Sequence, residues 1–345
     1  MATKVAIVGA GYAANNIHIP DWRYIKADIV AVCDIDEKNA KKTAENWGIK
    51  KFYTDFNSLL KNEKKDVIID LCTPPSTHAP MSIQAMNMGF NVMIEKPMSM
   101  SIEDNKKILE AYKKNKDRVK LAVVRNTLFS GPIRVVRSKL EGNHDDVLGV
   151  DIRLLHEPRE PMIADKNHWS HSMPGGRFGE CLIHPVYILC DLLGEYDLKI
   201  ENIWTAKRGS YDWVKYDELL VTFTANGKFG SIYISFNSPI ITWPPYVQVY
   251  TKNDVLTSGE IKKAAKKKLG PFKLELARRL NAIPISSAKK EFVKELFYPR
   301  RERRGQSVFF SEFARSIKEN KQMSYTPEHV FKSEKIFLDV IKKLP

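Results

Sequence analysis

No stretch of this 345-residue chain holds the roughly 18 to 20 consecutive apolar residues that a bilayer-spanning helix needs. The first residues open directly on a strand-like run with no signal-like segment, so the expected location is cytoplasmic. Cysteine is scarce. Cys33, Cys72, Cys181 and Cys190 lie in apolar stretches without CxxC spacing, which argues against a zinc site or a disulfide frame. They are expected to be buried, reduced thiols, and no metal is expected. Basic residues exceed acidic ones by 14, yet no recognisable reader motif accompanies that excess, so nucleic acid is not an expected partner.

What is present is more specific. At 43% hydrophobic and 28% charged, the chain is long enough for two domains with real cores. Its first 120 or so residues alternate strands and helices, the pattern that builds a parallel sheet. Lys4 to Val8 reads as a strand running into Gly9-Ala10-Gly11-Tyr12-Ala13-Ala14. Ile29 to Cys33 is a second strand, ending at Asp34. Val67 to Cys72 is another, ending in Thr73-Pro74-Pro75, and His78 to Met88 reads as a helix with an apolar stripe.

Ala14 stands where a third glycine is common, and its small side chain still permits close helix–strand packing. Pyrophosphate is expected on backbone N–H groups at the start of the helix, making Gly9, Gly11, Tyr12 and Ala13 cofactor candidates. Asp34, 23 positions after Gly11, is expected to accept from the adenosine ribose hydroxyls. Its charge repels a 2′-phosphate and Ile35 offers no compensating cation, so NAD is favoured over NADP. After the apolar run Phe90 to Ile94 comes Glu95-Lys96-Pro97, which places the Lys96 ammonium at the carboxyl end of a parallel strand, where such sheets bind ligands.

The second half has a different texture. Val147–Leu155, Ile200–Lys207, Glu218–Thr224, Phe229–Ser238 and Tyr246–Tyr250 read as successive strands, with an Asn226-Gly227 hairpin turn. The expected fold class is therefore α/β: a Rossmann doubly wound parallel sheet over residues 1–124, then an α+β domain with a largely antiparallel open sheet over 125–345. Val308 to Glu319 and Pro327 to Lys343 close the chain as helices, Pro327 suiting a first helical turn.

Gly9-Ala10-Gly11, then Thr73-Pro74-Pro75-Ser76-Thr77-His78, Glu95-Lys96-Pro97, and Gly175-Gly176 leading to Glu180 and His184, in this order, resemble the glucose-fructose oxidoreductase and inositol dehydrogenase family (Gfo/Idh/MocA). The resemblance covers nearly the whole chain apart from residues 260 to 304. It implies a lysine at Lys96 that orients the substrate hydroxyl and assists proton transfer, and a general base at His184. Glu180 falls where the family commonly has an aspartate. Thr73, Pro74, His78 and the Glu95–Lys96 neighbourhood match positions that line the cofactor. It also implies that the sheet of the second domain builds a homodimer or homotetramer with one face.

Elementary chemistry agrees with those roles. Oxidising a secondary alcohol removes the hydroxyl proton as hydride leaves the same carbon, so a base must reach that oxygen. Histidine titrates near neutrality, and a nearby ammonium stabilises a developing alkoxide. On one helix Glu180 and His184 share a face at i and i+4, with Asp191 on much the same side, but Pro185 fits a helix that begins near His184. His168, Trp169 and His171 precede the Gly175-Gly176 loop and can form a substrate wall. Arg153, His156, Arg159 and Arg177 are candidates for a phosphate or carboxylate on the substrate.

The remaining feature is local charge. Residues 260 to 304 carry 15 Lys and Arg against 5 Glu, which accounts for 10 of the chain's 14 net positive charges. Ile261, Ala264, Ala265, Leu269, Phe272, Leu276 and Leu280 recur at near-helical spacing, as basic amphipathic helices at an anionic membrane interface do. A solvated flap packed on protein fits the same pattern. The expected function is NAD-dependent hydride transfer from a secondary hydroxyl of a sugar, sugar nucleotide or cyclitol, with acidic, phosphorylated and lipid-linked forms left open. The alternative is an NAD-binding sensor or scaffold without turnover, recruited by the basic helices.

Overall fold

A computed structural model describes residues 2–140, 142–259 and 305–345. The basic stretch at 260–304, with its expected amphipathic helices, lies outside the described residues. The chain divides into two compact units, Met1–Asn126 with Gln306–Glu334, and Thr127–Gly305 with Lys335–Pro345.

The first unit is built on a six-stranded parallel sheet in the order β3-β2-β1-β4-β5-β6. Its strands are β1 (Lys4–Val8), β2 (Asp28–Cys33), β3 (Lys51–Tyr53), β4 (Val67–Leu71), β5 (Val92–Ile94) and β6 (Leu121–Val123). β4 and β5 are buried throughout, which explains their unbroken apolar runs: helices cover both faces of a parallel sheet. Between them run α1 (Ile19–Tyr24), α2 (Glu37–Trp47), α3 (Phe56–Asn62), α4 (Pro75–Asn87) and α5 (Ile102–Asn115). Asp36, Asp55 and Ser101 each cap a helix by accepting from its first N–H groups. The strand order reverses between β1 and β4, which opens a crevice at their carboxyl ends.

The helix after the glycine turn is not regular. Residues Ala14–His18 form one π turn, in which the Ile19 N–H reaches back to the Ala14 carbonyl. Pro20, at the start of α1, has no N–H to donate, so the ladder is interrupted at that point.

The expectation of a single contiguous second domain is corrected by the last segment. α10 (Gln306–Lys318) packs on α1 in the first unit, burying Phe309, Phe310 and Phe313, with the Phe310 ring 4.6 Å from that of Trp22. Three fully buried phenylalanines on one helix need an apolar partner, and α1 supplies it. The division between the units falls within α11 (Pro327–Lys343).

The second unit has a mixed sheet in the order β12-β11-β7-β10-β9-β8. Its strands are β7 (Val147–Leu155), β8 (Lys199–Ala206), β9 (Glu218–Ala225), β10 (Lys228–Ser235), β11 (Tyr246–Thr251) and β12 (Val255–Thr257). All neighbours are antiparallel except β7 and β10, which run parallel. The β9–β10 hairpin turns at Asn226 and Gly227, both with positive φ as such a tight turn demands. Its helices are α6 (Gly131–Leu140), α7 (Pro161–Ala164), α8 (Arg177–Cys181) and α9 (Ile183–Leu193). α9 packs on the face carrying Val150, Ile152, Ile232 and Ile234. Gly230 makes the close approach possible, because a Cβ there would lie 2.9 Å from Leu189. Among the described residues, no helix is long and apolar enough to cross a membrane.

Candidate active site

In the first unit, the carboxyl ends of β1, β4 and β5 bring the glycine turn, Thr73 and Glu95-Lys96 to one edge of the sheet. Gly9 donates to the Cys33 carbonyl at 2.7 Å, Cys72 donates to Val8 at 2.7 Å, and Glu95 donates to Leu71 at 2.9 Å. Gly9 has φ +91°, and a Cβ there would sit 2.7 Å from the Cys72 carbonyl oxygen, so no other residue fits without moving backbone. At Gly11 a Cβ would meet nothing within 4 Å, so the chain is open at that point of the helix start.

Asp34 lies beside that turn. Its carboxylate accepts from the Ala10 N–H at 2.7 Å and from the Asp36 N–H at 2.9 Å, which fixes its orientation. Two large apolar side chains stand exposed beside it, Tyr12 at 78% and Ile35 at 94%, a cost in water that a flat aromatic ligand would relieve. An open helix N-terminus, an oriented carboxylate and exposed apolar side chains fit a dinucleotide such as NAD.

His78 is a correction. It is fully buried, with Nδ1 at 3.0 Å from the Pro97 carbonyl and Nε2 at 2.9 Å from the Thr73 carbonyl. It braces the Thr73 loop against the Glu95-Lys96-Pro97 turn and does not itself line the crevice. Thr77 extends that bracing, donating to the Thr73 hydroxyl at 2.7 Å.

Sequence reasoning missed the residues beneath Lys96. His18, fully buried, has Nδ1 at 2.8 Å from Asp70 and Nε2 at 3.0 Å from Glu95. Trp22 donates to the same Asp70 oxygen at 2.7 Å, and the second Glu95 oxygen accepts the Lys96 N–H at 2.6 Å. Burial works against the Glu95 carboxylate, but His18 and Lys96 outweigh it and bring its pKa down to about 2. Donor atoms of His18, Asp70 and Cys72 lie within 4.8 Å of one another, close enough to ask about a metal. The 2.8 Å between imidazole and carboxylate is a hydrogen-bond length, and two ligands on one tetrahedral ion, with bonds of about 2.0–2.2 Å, stand further apart. On the other side of the turn, Glu334 accepts from the Met98 N–H at 2.9 Å and pairs with the equally buried Arg125. The pattern that could have flagged His18 is Pro20, two residues on, breaking an otherwise helical run.

In the second unit, His184 is buried in the first turn of α9. Its Nδ1 lies 2.7 Å from the Tyr187 hydroxyl, which in turn bonds Thr127, and the Trp243 ring stands edge-on at 5.2 Å. Tyr187 and Thr127 are further residues that sequence reasoning missed. Pro185 falls in that first turn, where its missing N–H is tolerated, and it interrupts the hydrogen-bond ladder between α8 and α9 while Leu182 stays helical. Leu182 keeps helical dihedrals, φ −60° and ψ −28°, so Glu180 and His184 retain the i, i+4 spacing expected, and Glu180 forms an ion pair with Arg177 one turn earlier in α8.

Arg177 is nearly buried, its guanidinium 5.6 Å from the Phe236 ring and its Nε without a hydrogen-bond partner. Burial opposes its charge, but Glu180 more than offsets that and raises its pKa. His156 packs on the same Phe236 ring, with Nδ1 at 2.9 Å from Glu160 and a buried, unpartnered Nε2. His168 caps the short turn at Trp169, and burial together with Arg177 and His171 lowers its pKa. Trp169 itself is 56% exposed. Arg159 is also exposed, on the loop after β7.

Arg153 is set apart from this group. It alternates with Ile152 and Leu154 on β7, so it lies with Asp151, Tyr233 and Tyr250 on the sheet face opposite α9. A period of two made that separation inevitable once α9 covered the other face.

Comparison with known proteins bears on both units. Residues 3–123 match the family model GFO_IDH_MocA, described as an oxidoreductase family with an NAD-binding Rossmann fold. Oxidoreductase P35 of Formosa agariphila is 26% identical over 211 residues, 59% of this chain and 62% of that protein. D-glucoside 3-dehydrogenase of Escherichia coli is 31% identical over 112 residues, 32% of each. The matched segments thus span under two thirds of these relatives' lengths. An oxidoreductase from Agrobacterium radiobacter, solved with NAD+, L-tartaric acid and magnesium, superposes with a TM-score of 0.77 at 16% identity. The match covers 99% of this chain and 95% of that one. That likeness extends the shared fold to the second unit, and the Rossmann unit, residues 3–123, is similar to the GFO_IDH_MocA oxidoreductase family.

Proposed function

We propose that the protein is an NAD-dependent oxidoreductase that oxidises a secondary hydroxyl of a sugar, sugar nucleotide or cyclitol. The observation that carries this proposal is the glycine turn, with its oriented Asp34, on the same sheet edge as Lys96. NAD, when bound, accepts the hydride. Lys96 presents an ammonium that stabilises the alkoxide forming on the substrate oxygen. His184 takes the hydroxyl proton; its Nδ1 is held by Tyr187, so proton transfer is assigned to Nε2.

Of the groups around Phe236, Arg177 already carries Glu180 as counter-ion. We therefore favour a neutral, hydroxyl-rich substrate over an anionic one, with His156, His168 and Trp169 as its wall and Glu180 orienting Arg177. Cytoplasmic location, a homodimer or homotetramer formed through the open sheet face, and peripheral contact of residues 260–304 with anionic membrane complete the proposal.

A panel of neutral and acidic sugars and cyclitols, followed by NADH absorbance, tests it. Oxidation of a neutral member, lost in Lys96→Ala and His184→Ala, is the expected result. NADH binding with no oxidation across the panel would point to the sensor or scaffold.

A further inference from the structure

His18 is clamped on both sides by carboxylates. Asp70 comes from the end of β4 and Glu95 from the end of β5, one on each ring nitrogen, at 2.8 and 3.0 Å. We propose that His18 is a positioning residue for the Glu95-Lys96 turn: an imidazolium that pins the Glu95 carboxylate to the Lys96 amide and so sets the root of the Lys96 side chain. The proposal rests on the catalytic role given to Lys96 above.

A neutral imidazole has one N–H and one lone pair. With a carboxylate at each nitrogen, the lone pair would face negative charge across a hydrogen-bond distance in a site closed to water. The cation instead makes two charge-assisted hydrogen bonds. Phe310, with its ring 5.1 Å away, and Trp22 seal the ring from solvent. Burial opposes the charge, but Asp70 outweighs it and holds the ring's pKa well above the usual histidine range.

The other titratable groups facing the ring are accounted for. Cys72 is pushed up to about 12, by burial first and then by Asp70, and stays a neutral thiol. Two carboxylates, the imidazolium and the Lys96 ammonium then sum to zero. Neutralising His18 would leave Glu95 and Asp70 with Lys96 as the nearest cation that balances Glu95. With its strongest lowering influence gone, the Glu95 pKa would then rise. Once protonated, its oxygen would no longer hold the Lys96 amide as a charged acceptor.

Two measurements separate the clamp from the catalytic assignment. In the wild-type protein labelled with nitrogen-15 at histidine, one imidazole is expected to carry a proton on both nitrogens across the neutral range and beyond it, a signature absent in His18→Gln. If the His18 ring carries a single proton at neutral pH, the proposal is overturned, and this needs no substrate. For the panel member that is oxidised, His18→Gln is expected to lower kcat by about a hundredfold, as a misplaced catalytic group does. It is also expected to create a new acidic limb in the kcat–pH profile, with NADH affinity within about threefold of wild type. Unchanged kcat and pH profile beside an inactive Lys96→Ala would remove the positioning role and leave Lys96 standing. An active Lys96→Ala would instead sink the catalytic reading, while the ring titration still decides the clamp.

Discussion

Arg125→Met isolates the charge beneath the Lys96 turn. Arg125 and Glu334 are both fully buried, and the Glu334 oxygen that pairs with Arg125 also accepts the Met98 N–H at 2.9 Å. Methionine keeps much of the volume and removes the cation, leaving a buried carboxylate without its partner, at a cost of about 3–5 kcal/mol. Burial already raises the Glu334 pKa in the intact pair, against the pull of Arg125 and the Met98 amide. A carboxyl whose folded pKa is above its unfolded one stabilises the fold fully below the unfolded pKa. That contribution is lost as pH rises through the folded value. Without Arg125 the folded value climbs further, so the variant loses about 1.4 kcal/mol more per pH unit across that window. Urea titrations read through hydrogen exchange of β4 and β5 amides report the first unit alone, and the penalty is expected to shrink on acidification from about pH 8 to about pH 5. The double variant Arg125→Met/Glu334→Leu is expected to recover most of the loss, short of about 1–3 kcal/mol for the orphaned Met98 amide. An Arg125→Met penalty below about 1 kcal/mol, flat with pH, would refute this account of the pair.

Four further outcomes are expected. Gly9→Ala must place a Cβ 2.7 Å from the Cys72 carbonyl at φ +91°, and NADH affinity by fluorescence titration is expected to fall at least about tenfold. Asp34→Ser with Ile35→Arg removes a repulsive charge and adds a cation at the 2′ position, so the ratio of NADP to NAD affinity is expected to rise by about a hundredfold. Tyr187→Phe takes away the hydroxyl that holds His184 Nδ1, and turnover of the oxidised panel member is expected to drop about tenfold while cofactor affinity holds. Glu95, lowered from 4.5 to about 2, contributes about 3 kcal/mol that is present above pH 4.5 and lost as pH falls towards 2. Acid unfolding of Glu95→Gln is therefore expected to be flatter through that interval.

What could be read from the chain alone was local. Apolar runs ending in glycine, Asp34 or Glu95-Lys96 announced the parallel sheet, and Asn226-Gly227 announced the hairpin, because turn and strand preferences act over a few residues. The order of motifs likewise marked the dinucleotide edge. What only the tertiary structure decided was pairing at a distance. His18 meets Asp70 across 52 positions and Glu95 across 77, and no spacing rule links them. Glu180 was read as a partner of His184, but the fold paired its carboxylate with Arg177. Arg153 carried the right charge for a substrate anion, but the sheet's alternation turned it to the face opposite α9. The return of residues 306–334 to the first unit was decided by α1, whose apolar side needed the phenylalanines of α10. Charge and hydrophobicity are properties of a residue, whereas burial and partnership belong to whatever the fold brings beside it.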